Sequence, residues 1–289
     1  MQSTPLPVIV EPVSSLALCV RDLTVGFRID KSYVERVHGV SFDLERGKTL
    51  ALVGESGSGK TLTSMAIMGL LGSRTAVIGG VAEVDGIDVT KARGRALRQI
   101  RGTRIAMVYQ DPASSLNPLL TIGTQLCEAL ACHTKMPKSE IRRRGLELLR
   151  QIRLPNPDSL FKAYPHQLSG GMKQRVVIAM AIALNPTVLI ADEPTTALDV
   201  TVQQRILWLI KELQEQLDMA VLFVTHDLAV VAEVADEVAV MKSGEIIEHA
   251  TVLDLFEHPS AQYSRELLRA ATDVYRRDAH LDQEEAPRP

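Results

Sequence analysis

The chain has 289 residues and a mass of 31.7 kDa, with 46% hydrophobic and 23% charged residues, fractions typical of a globular protein. Lys and Arg number 32 against 35 for Asp and Glu, and this balance argues against a dedicated nucleic-acid-binding protein, which needs a basic surplus. The longest apolar run, 176–184, is much shorter than the roughly 20 residues that a membrane-spanning helix requires.

The two termini and the cysteines further restrict the class of protein to which the chain can belong. Residues 1–15 have no basic region before their short apolar stretch, so they do not resemble a secretory signal, and we expect a loose leader. Cys19, Cys127 and Cys132 show no CxxC spacing, which argues against a disulfide framework and fits a reducing cytosol. The charged tail, 272–289, is expected to be disordered.

Taken in chain order, the apolar pattern predicts an α/β protein. Short runs of apolar and β-branched residues between Leu16 and Leu44 predict strands, and 49–53 predicts a buried parallel strand. A glycine-rich turn and a helix over 61–71 follow, which together begin a βαβ unit. Further helices are predicted at 121–132, 138–152, 169–184 and 201–217, and further buried strands at 187–191 and 220–225.

The stretch 91–104 carries six basic residues and no acidic residue. A nucleic-acid patch would explain this composition, but the net charge of the chain offers no support. We therefore favour a solvated or partner-facing surface.

A phosphate-binding loop follows the strand at 49–53. The sequence there matches GxxxxGK[ST] in full, through Gly54, Glu55, Ser56, Gly57, Ser58, Gly59, Lys60 and Thr61. Glycines allow successive N–H groups to point at phosphate oxygens, and the start of the helix adds its positive end. Lys60 supplies a cation for the β- and γ-phosphates, and Thr61 supplies a hydroxyl for Mg²⁺. The sequence predicts a nucleoside triphosphate site.

Polar residues end three of the predicted strands. Asp192 and Glu193 follow 187–191, His226 follows 220–225, and Gln110 closes an apolar run. Ligand sites in parallel sheets lie at the carboxyl ends of strands. We expect Asp192 to hold Mg²⁺ through water, Glu193 to act as general base and His226 to contact the γ-phosphate.

Ser169, Gly170 and Gly171 precede the apolar helix predicted at 169–184. Ser169 can cap this helix, and the glycines expose N–H groups at its positive end, which makes a second anion site. The alternative is a helix cap without further function.

With these motifs, the chain resembles the ATP-binding subunit of an ABC transporter over about residues 16–270. The motifs occur in the family's order: the phosphate loop, Gln110 (Q-loop), 168–172 (signature), 188–194 (Walker B), 197–199 (D-loop) and His226 (switch histidine). The resemblance implies a P-loop NTPase fold of the ABC ATPase type. That fold has a mainly parallel core sheet, an N-terminal antiparallel β part and a helical subdomain.

The resemblance also implies how the chain is organised. A β part and phosphate-loop core would occupy 16–110, and a helical subdomain with the signature helix 111–185. The rest of the core would occupy 186–257, and a family C-terminal element 258–271.

The resemblance assigns roles to the site residues. The catalytic set would be Glu193, His226, Lys60 and Gln110, and Mg²⁺ would be held by Thr61, Gln110 and Asp192. A head-to-tail dimer would enclose two ATP molecules, with contacts in trans from Ser169, Gly170, Gly171 and Asp199. Phe27 would stack on adenine, with Tyr33 as competitor and an ordinary core aromatic as the alternative.

Three stretches look like the oligopeptide, dipeptide and nickel importer group: QDPASSLNP at 110–118, DEPTTALDV at 192–200 and HPSAQYS at 258–264. Met172 suggests the SGGM-type ATPase of a pair whose other member is SGGQ-type. Many members carry clustered cysteines near the C-terminus for an iron–sulfur cluster. This chain has no cysteine after Cys132, so we expect no cluster, and a shorter nickel-like subtype stays open.

The resemblance therefore implies an importer ATPase that powers uptake of oligopeptides or dipeptides. Its partners would be the second ATPase, two membrane permease subunits and, indirectly, an extracytoplasmic solute-binding protein, without nucleic acid. It would lie peripherally on the cytoplasmic face of the plasma (inner) membrane. The alternatives are a nickel or metal-chelate importer, an exporter, and an ABC ATPase that acts on DNA or ribosomes.

Overall fold

The computed structural model describes residues 15–29, 32–72, 75–196 and 198–271. The predicted tail, the predicted leader apart from Ser15, and Ala197 of the D-loop lie outside these ranges. Within them, no helix is long and apolar enough to cross a membrane.

The strands of the described residues are β1 (Leu16–Ile29), β2 (Ser32–Glu45), β3 (Thr49–Val53), β4 (Ala76–Val84), β5 (Ile87–Asp88), β6 (Ile105–Val108), β7 (Val188–Asp192), β8 (Ala220–Thr225), β9 (Glu237–Lys242) and β10 (Glu245–Thr251). The helices are α1 (Lys60–Ile67), α2 (Gly94–Ile100), α3 (Pro112–Ser115), α4 (Ile122–Ala131), α5 (Lys138–Gln151), α6 (Pro157–Leu160), α7 (Gly170–Ile182), α8 (Val200–Leu217), α9 (Leu228–Val234) and α10 (Val252–Glu257). A last helix, α11, covers 262–271, the end of the described residues.

Two sheets divide the strands. The first is antiparallel, with the order β2-β1-β4-β5, and the second has the order β10-β9-β3-β8-β7-β6. In the second sheet all neighbouring pairs are parallel except β9 with β10. The predicted mainly parallel core sheet and the antiparallel N-terminal part are therefore confirmed.

The inner strands of the core sheet are covered on both faces, which explains why 50–53, 105–108, 188–191 and 220–224 are apolar throughout. Side chains alternate between the faces with a period of two residues. In β8, Val221 and Phe223 pack toward the core that contains α7 and α8. Leu222 and Val224 pack on the opposite face, toward β1, β2 and α1.

Between β6 and β7 the chain is helical, from α3 to α7. The predicted helices at 121–132 and 138–152 correspond to α4 and α5 within one residue at each end. Both helices pack around Phe161, which is buried in the same core as α7 and α8.

The structure corrects the predicted helix over 61–71, because α1 already ends at Ile67. Gly69 has φ +65°, a left-handed conformation that ends helices. The Arg101 guanidinium then donates to the carbonyl oxygens of Met68 and Gly69, which satisfies groups that a helix end leaves unpaired.

The antiparallel sheet also differs from the prediction. We expected several short strands, whereas β1 and β2 are single strands of 14 residues each. Register shifts interrupt their pairing, for example between Val20 and Leu23. Such bulges break the alternation of apolar and polar residues, which made one strand look like several.

The basic stretch 91–104 interacts with acidic residues that precede it in the chain. Lys91 lies 2.8 Å from Asp88, and Arg104 lies 2.8 Å from Asp85. These ion pairs attach the stretch to the turn and strand around β5 and neutralise part of its charge. The role of this stretch stays a prediction.

Candidate functional site: the phosphate loop and the ends of strands β6 to β8

The phosphate loop joins β3 to α1, at the carboxyl edge of the core sheet. Gly54 has φ +153°, and a side chain there would overlap the Met241 carbonyl oxygen of β9. Gly59, the residue before α1, has φ +109°, where a Cβ would lie 2.8 Å from the Met241 methyl carbon. Only glycine fits these two positions, so the loop curls tightly against β9.

Lys60 is buried, and its ammonium group lies inside the curl of the loop. The Nζ atom donates to the carbonyl oxygens of Gly54 at 2.7 Å and Glu55 at 2.9 Å. Burial lowers the pKa of Lys60, while the nearby carboxylates of Glu193 and Asp192 oppose that shift. A polyanion at the loop would stabilise this partly desolvated cation.

Asp192 ends β7 and faces the first residues of α1. Thr61 Oγ1 donates to Asp192 Oδ1 over 3.4 Å, and Asp192 is 6% exposed. Burial raises the pKa of Asp192, because the charged carboxylate lacks water around it. A hydroxyl and a carboxylate at the start of a helix are oxygen ligands that suit Mg²⁺ beside a bound phosphate.

Glu193, directly after β7, is the centre of the site. Its Oε2 atom accepts hydrogen bonds from Gln110 Nε2 and Thr196 Oγ1, both at 3.1 Å. Its Oε1 atom lies 3.0 Å from Nδ1 of His226. The three predicted residues Gln110, Glu193 and His226 come together because β6, β7 and β8 are adjacent parallel strands that end at one edge.

The backbone of Glu193 fixes this arrangement. Its φ is +47°, which non-glycine residues adopt rarely, and its N–H donates to the Val224 carbonyl oxygen at 2.9 Å. The left-handed residue turns the chain back at once, which brings Thr196 to the carboxylate. Thr196 was not predicted as a site residue. Its contact with Glu193 depends on this turn, which no motif in the sequence indicates.

The signature residues form a second group, attached to α8. Ser169 caps α7, and its Oγ accepts from the Met172 N–H at 3.3 Å. Ser169 and Gly170 are exposed, and Gly171 packs so closely on Val202 that a side chain would collide. Asp199 caps α8 in the same way, accepting from the Val202 N–H at 3.0 Å.

The two candidate adenine-stacking aromatics differ in exposure. Phe27 on β1 is half-buried and packs against the core shared by the two sheets. Tyr33 on β2 is 50% exposed, with its ring over Gly26 and its hydroxyl 3.1 Å from Glu35 Oε2.

Comparison with known proteins identifies the family. The model of the ABC transporter family matches residues 37–196, more than half of the chain. The dipeptide transport ATP-binding protein DppD of Bacillus subtilis is 50% identical over 252 residues, 87% of this chain and 75% of that protein. The oligopeptide transport ATP-binding protein OppD of Lactococcus lactis is 46% identical over 250 residues, 86% of this chain and 74% of that protein.

A solved structure agrees with these relatives. The dimeric, post-hydrolysis ATP-binding cassette MJ0796, bound to ADP and Pi, is 30% identical with a TM-score of 0.71, covering 81% of this chain and 98% of that chain. The sequence resemblance and the predicted ATPase activity are confirmed. The chain belongs to the ABC transporter family, as an ATP-binding and ATP-hydrolysing cassette.

Proposed function

We propose that this ATPase powers the import of oligopeptides or dipeptides. One observation carries the hydrolytic part: the Glu193 carboxylate lies between Gln110, Thr196 and His226, at the strand edge that holds the phosphate loop. The named functions of the DppD and OppD relatives support the peptide part.

Lys60 and the loop N–H groups bind the β- and γ-phosphates of ATP in this proposal. The ammonium group does not have to give up both hydrogen bonds to the carbonyl oxygens of Gly54 and Glu55. It has three N–H donors, so one remains to donate to a phosphate oxygen. Thr61, Asp192 and Gln110 would hold Mg²⁺, which when bound neutralises charge on the phosphate oxygens.

Glu193 acts as the general base. It accepts a proton from the water whose oxygen attacks the γ-phosphorus, while the bond from that phosphorus to the bridging oxygen of ADP breaks. In the present structure both carboxylate oxygens are engaged by neighbouring side chains. Because each carboxylate oxygen can accept two hydrogen bonds, the attacking water can bind Glu193 beside these contacts or in place of one of them.

The signature residues act on ATP bound to another cassette. Ser169 and Gly170 are exposed at the positive end of α7, and Asp199 caps the next helix. We propose that the partner is an SGGQ-type ATPase, which would receive Ser169, Gly170, Gly171 and Asp199 in trans. The dimeric state of MJ0796 supports this arrangement.

The helical region, 111–168, is proposed to contact two membrane permease subunits together with Gln110 of the Q-loop. The chain would then lie on the cytoplasmic face of the membrane, and an extracytoplasmic binding protein would deliver the peptide.

Phe27 is the proposed adenine contact, and Tyr33 is the competing candidate.

Purification from the native membrane in mild detergent tests the assembly. We expect a tagged chain to bring two permease subunits and an SGGQ-type ATPase, and the complex to hydrolyse ATP faster with a peptide-loaded binding protein. Stimulation by a nickel chelate but not by peptides would replace the peptide proposal. Recovery of the chain on ribosomes or DNA, without permeases, would overturn the import proposal while leaving the ATPase activity intact.

A further inference from the structure

The C-terminal element 258–264 lies against the phosphate loop. Its Tyr263, on α11, is 8% exposed and packs in the core formed by β3, β9, α9 and α10. The Glu55 N–H donates a hydrogen bond to the Tyr263 hydroxyl at 3.2 Å. A residue 208 positions along the chain from Glu55 therefore contacts the backbone of the ATP-binding loop.

That contact falls on the peptide unit that holds Lys60. The N–H of Glu55 and the carbonyl of Gly54 belong to one planar peptide group. The carbonyl oxygen accepts from Lys60 Nζ at 2.7 Å, and the N–H on the other side donates to Tyr263. Because the group is planar, Tyr263 fixes the direction of the carbonyl that orients the lysine.

A cation–π contact also holds Tyr263 in place. The Lys242 ammonium group lies 4.3 Å from the centre of the Tyr263 ring, over its face. Burial raises the pKa of Tyr263, which keeps the phenol protonated at neutral pH.

Glu248 on β10 anchors the start of α11. Its carboxylate accepts from the Ser260 N–H at 2.7 Å, the Ser260 hydroxyl at 2.8 Å and the Ala261 N–H at 3.0 Å. Although burial opposes the charge, the hydrogen-bond donors of this segment lower the pKa of Glu248. Hydrogen bonds to a charged carboxylate are stronger than those between neutral groups. Glu248 therefore holds the start of α11, and with it Tyr263, against β10.

We propose that Tyr263 is a positioning residue for ATP binding, which acts through the Gly54–Glu55 peptide group on Lys60. The family C-terminal element is thus part of the nucleotide site of its own chain. This inference rests on the ATP-binding activity of the family and is independent of the transported solute.

A double-mutant cycle on the full-length chain tests the proposal, with the affinity for trinitrophenyl-ATP as readout. We expect Tyr263→Phe, which removes the hydroxyl and keeps the ring, to weaken binding about two- to tenfold. In a Lys60→Ala background the same substitution should change the affinity by less than about twofold, because the lysine through which it acts is gone.

Tyr164→Phe is the matched control, since it makes the same chemical change on an exposed tyrosine of the helical region. It should leave the affinity unchanged, and thermal unfolding should show that every variant is folded. The proposal is overturned if Tyr263→Phe has no effect on affinity, or if the loss is equally large with and without Lys60. The second result would show general structural support of the loop instead.

Discussion

Glu193 Oε1 and His226 Nδ1 lie 3.0 Å apart and thereby join the ends of β7 and β8. The glutamate side chain is largely buried and the histidine ring is half exposed. The Glu193 carboxylate is thus enclosed mainly by protein, while the histidine ring remains accessible to solvent. Displacement of the histidine by a γ-phosphate would free Oε1 for water.

Glu193→Gln should retain ATP binding and lose turnover. The amide has nearly the same shape but cannot accept the proton of the attacking water, so we expect hydrolysis in the assembled complex to fall about 10²- to 10⁴-fold. Steady-state hydrolysis and equilibrium ATP binding are the measurements. Glu215→Gln on the exposed face of α8 is the control. Turnover at the wild-type rate would remove Glu193 from its role.

Thr196→Val should slow turnover while leaving the KM for ATP near its wild-type value. The hydroxyl makes one hydrogen bond to Glu193 Oε2, so its loss should reduce kcat about two- to tenfold. Thr134→Val, which removes a hydroxyl bonded only within a helix end, serves as control. An increase in KM without a change in kcat would show that Thr196 acts on nucleotide binding instead.

Phe27→Leu should weaken ATP binding more than Tyr33→Leu does. Loss of an aromatic face against the base removes about 1–3 kcal/mol where stacking occurs, a roughly 5- to 150-fold change in affinity. Both variants can be titrated with ATP in parallel, and each serves as the control for the other. The opposite order of affinities would assign the adenine contact to Tyr33.

Asp192→Asn should make the nucleotide-free chain more resistant to unfolding at pH 7. Because burial raises the pKa of Asp192, the native state binds this proton more tightly than the unfolded chain does. The charged form therefore lowers the free energy of unfolding at neutral pH, and this destabilisation fades as the pH falls toward about 4, the unfolded-state value. Denaturant titrations from pH 4 to pH 8 measure it.

The control for Asp192→Asn is Asp158→Asn, whose side chain is 73% exposed. It should change stability little at any pH in that range. With Mg²⁺ and ATP present the order should reverse, since a carboxylate binds the cation better than an amide does. An Asp192→Asn variant that is less stable than the wild type at pH 7, or an advantage of the variant that does not shrink as the pH falls, would contradict the prediction.

The buried strands and the phosphate loop were predictable because their signals are local. The run at 220–225 is apolar up to its last residue, Thr225, and β8 has the same bounds, while the predicted strand at 187–191 lies within one residue of β7. Parallel strands that are covered on both faces form nearly continuous apolar runs, which are easy to recognise in a sequence. The strand ends then place Gln110, Glu193 and His226 side by side.

The contacts that were not predicted depend on distant parts of the chain. Thr196 reaches Glu193 only through the left-handed turn at Glu193 itself. Tyr263 belongs to the family C-terminal element, 258–264, which the sequence shows. Its contact with Glu55, however, depends on how α11 packs against β9 and β3. Neither relationship leaves a periodic or motif signal in the sequence.

The pairing of β3 has a consequence for synthesis of the protein. Thr49 is aligned with Val221 of β8 and Leu50 with Glu237 of β9, so the strand that leads into the phosphate loop acquires both neighbours very late. Such distant pairings form slowly and leave apolar strands uncovered in the meantime. A nascent chain still lacking β8 and β9 therefore has the loop sequence but no sheet to hold it. Competence to bind nucleotide should appear on the ribosome only after β9 has left the exit tunnel.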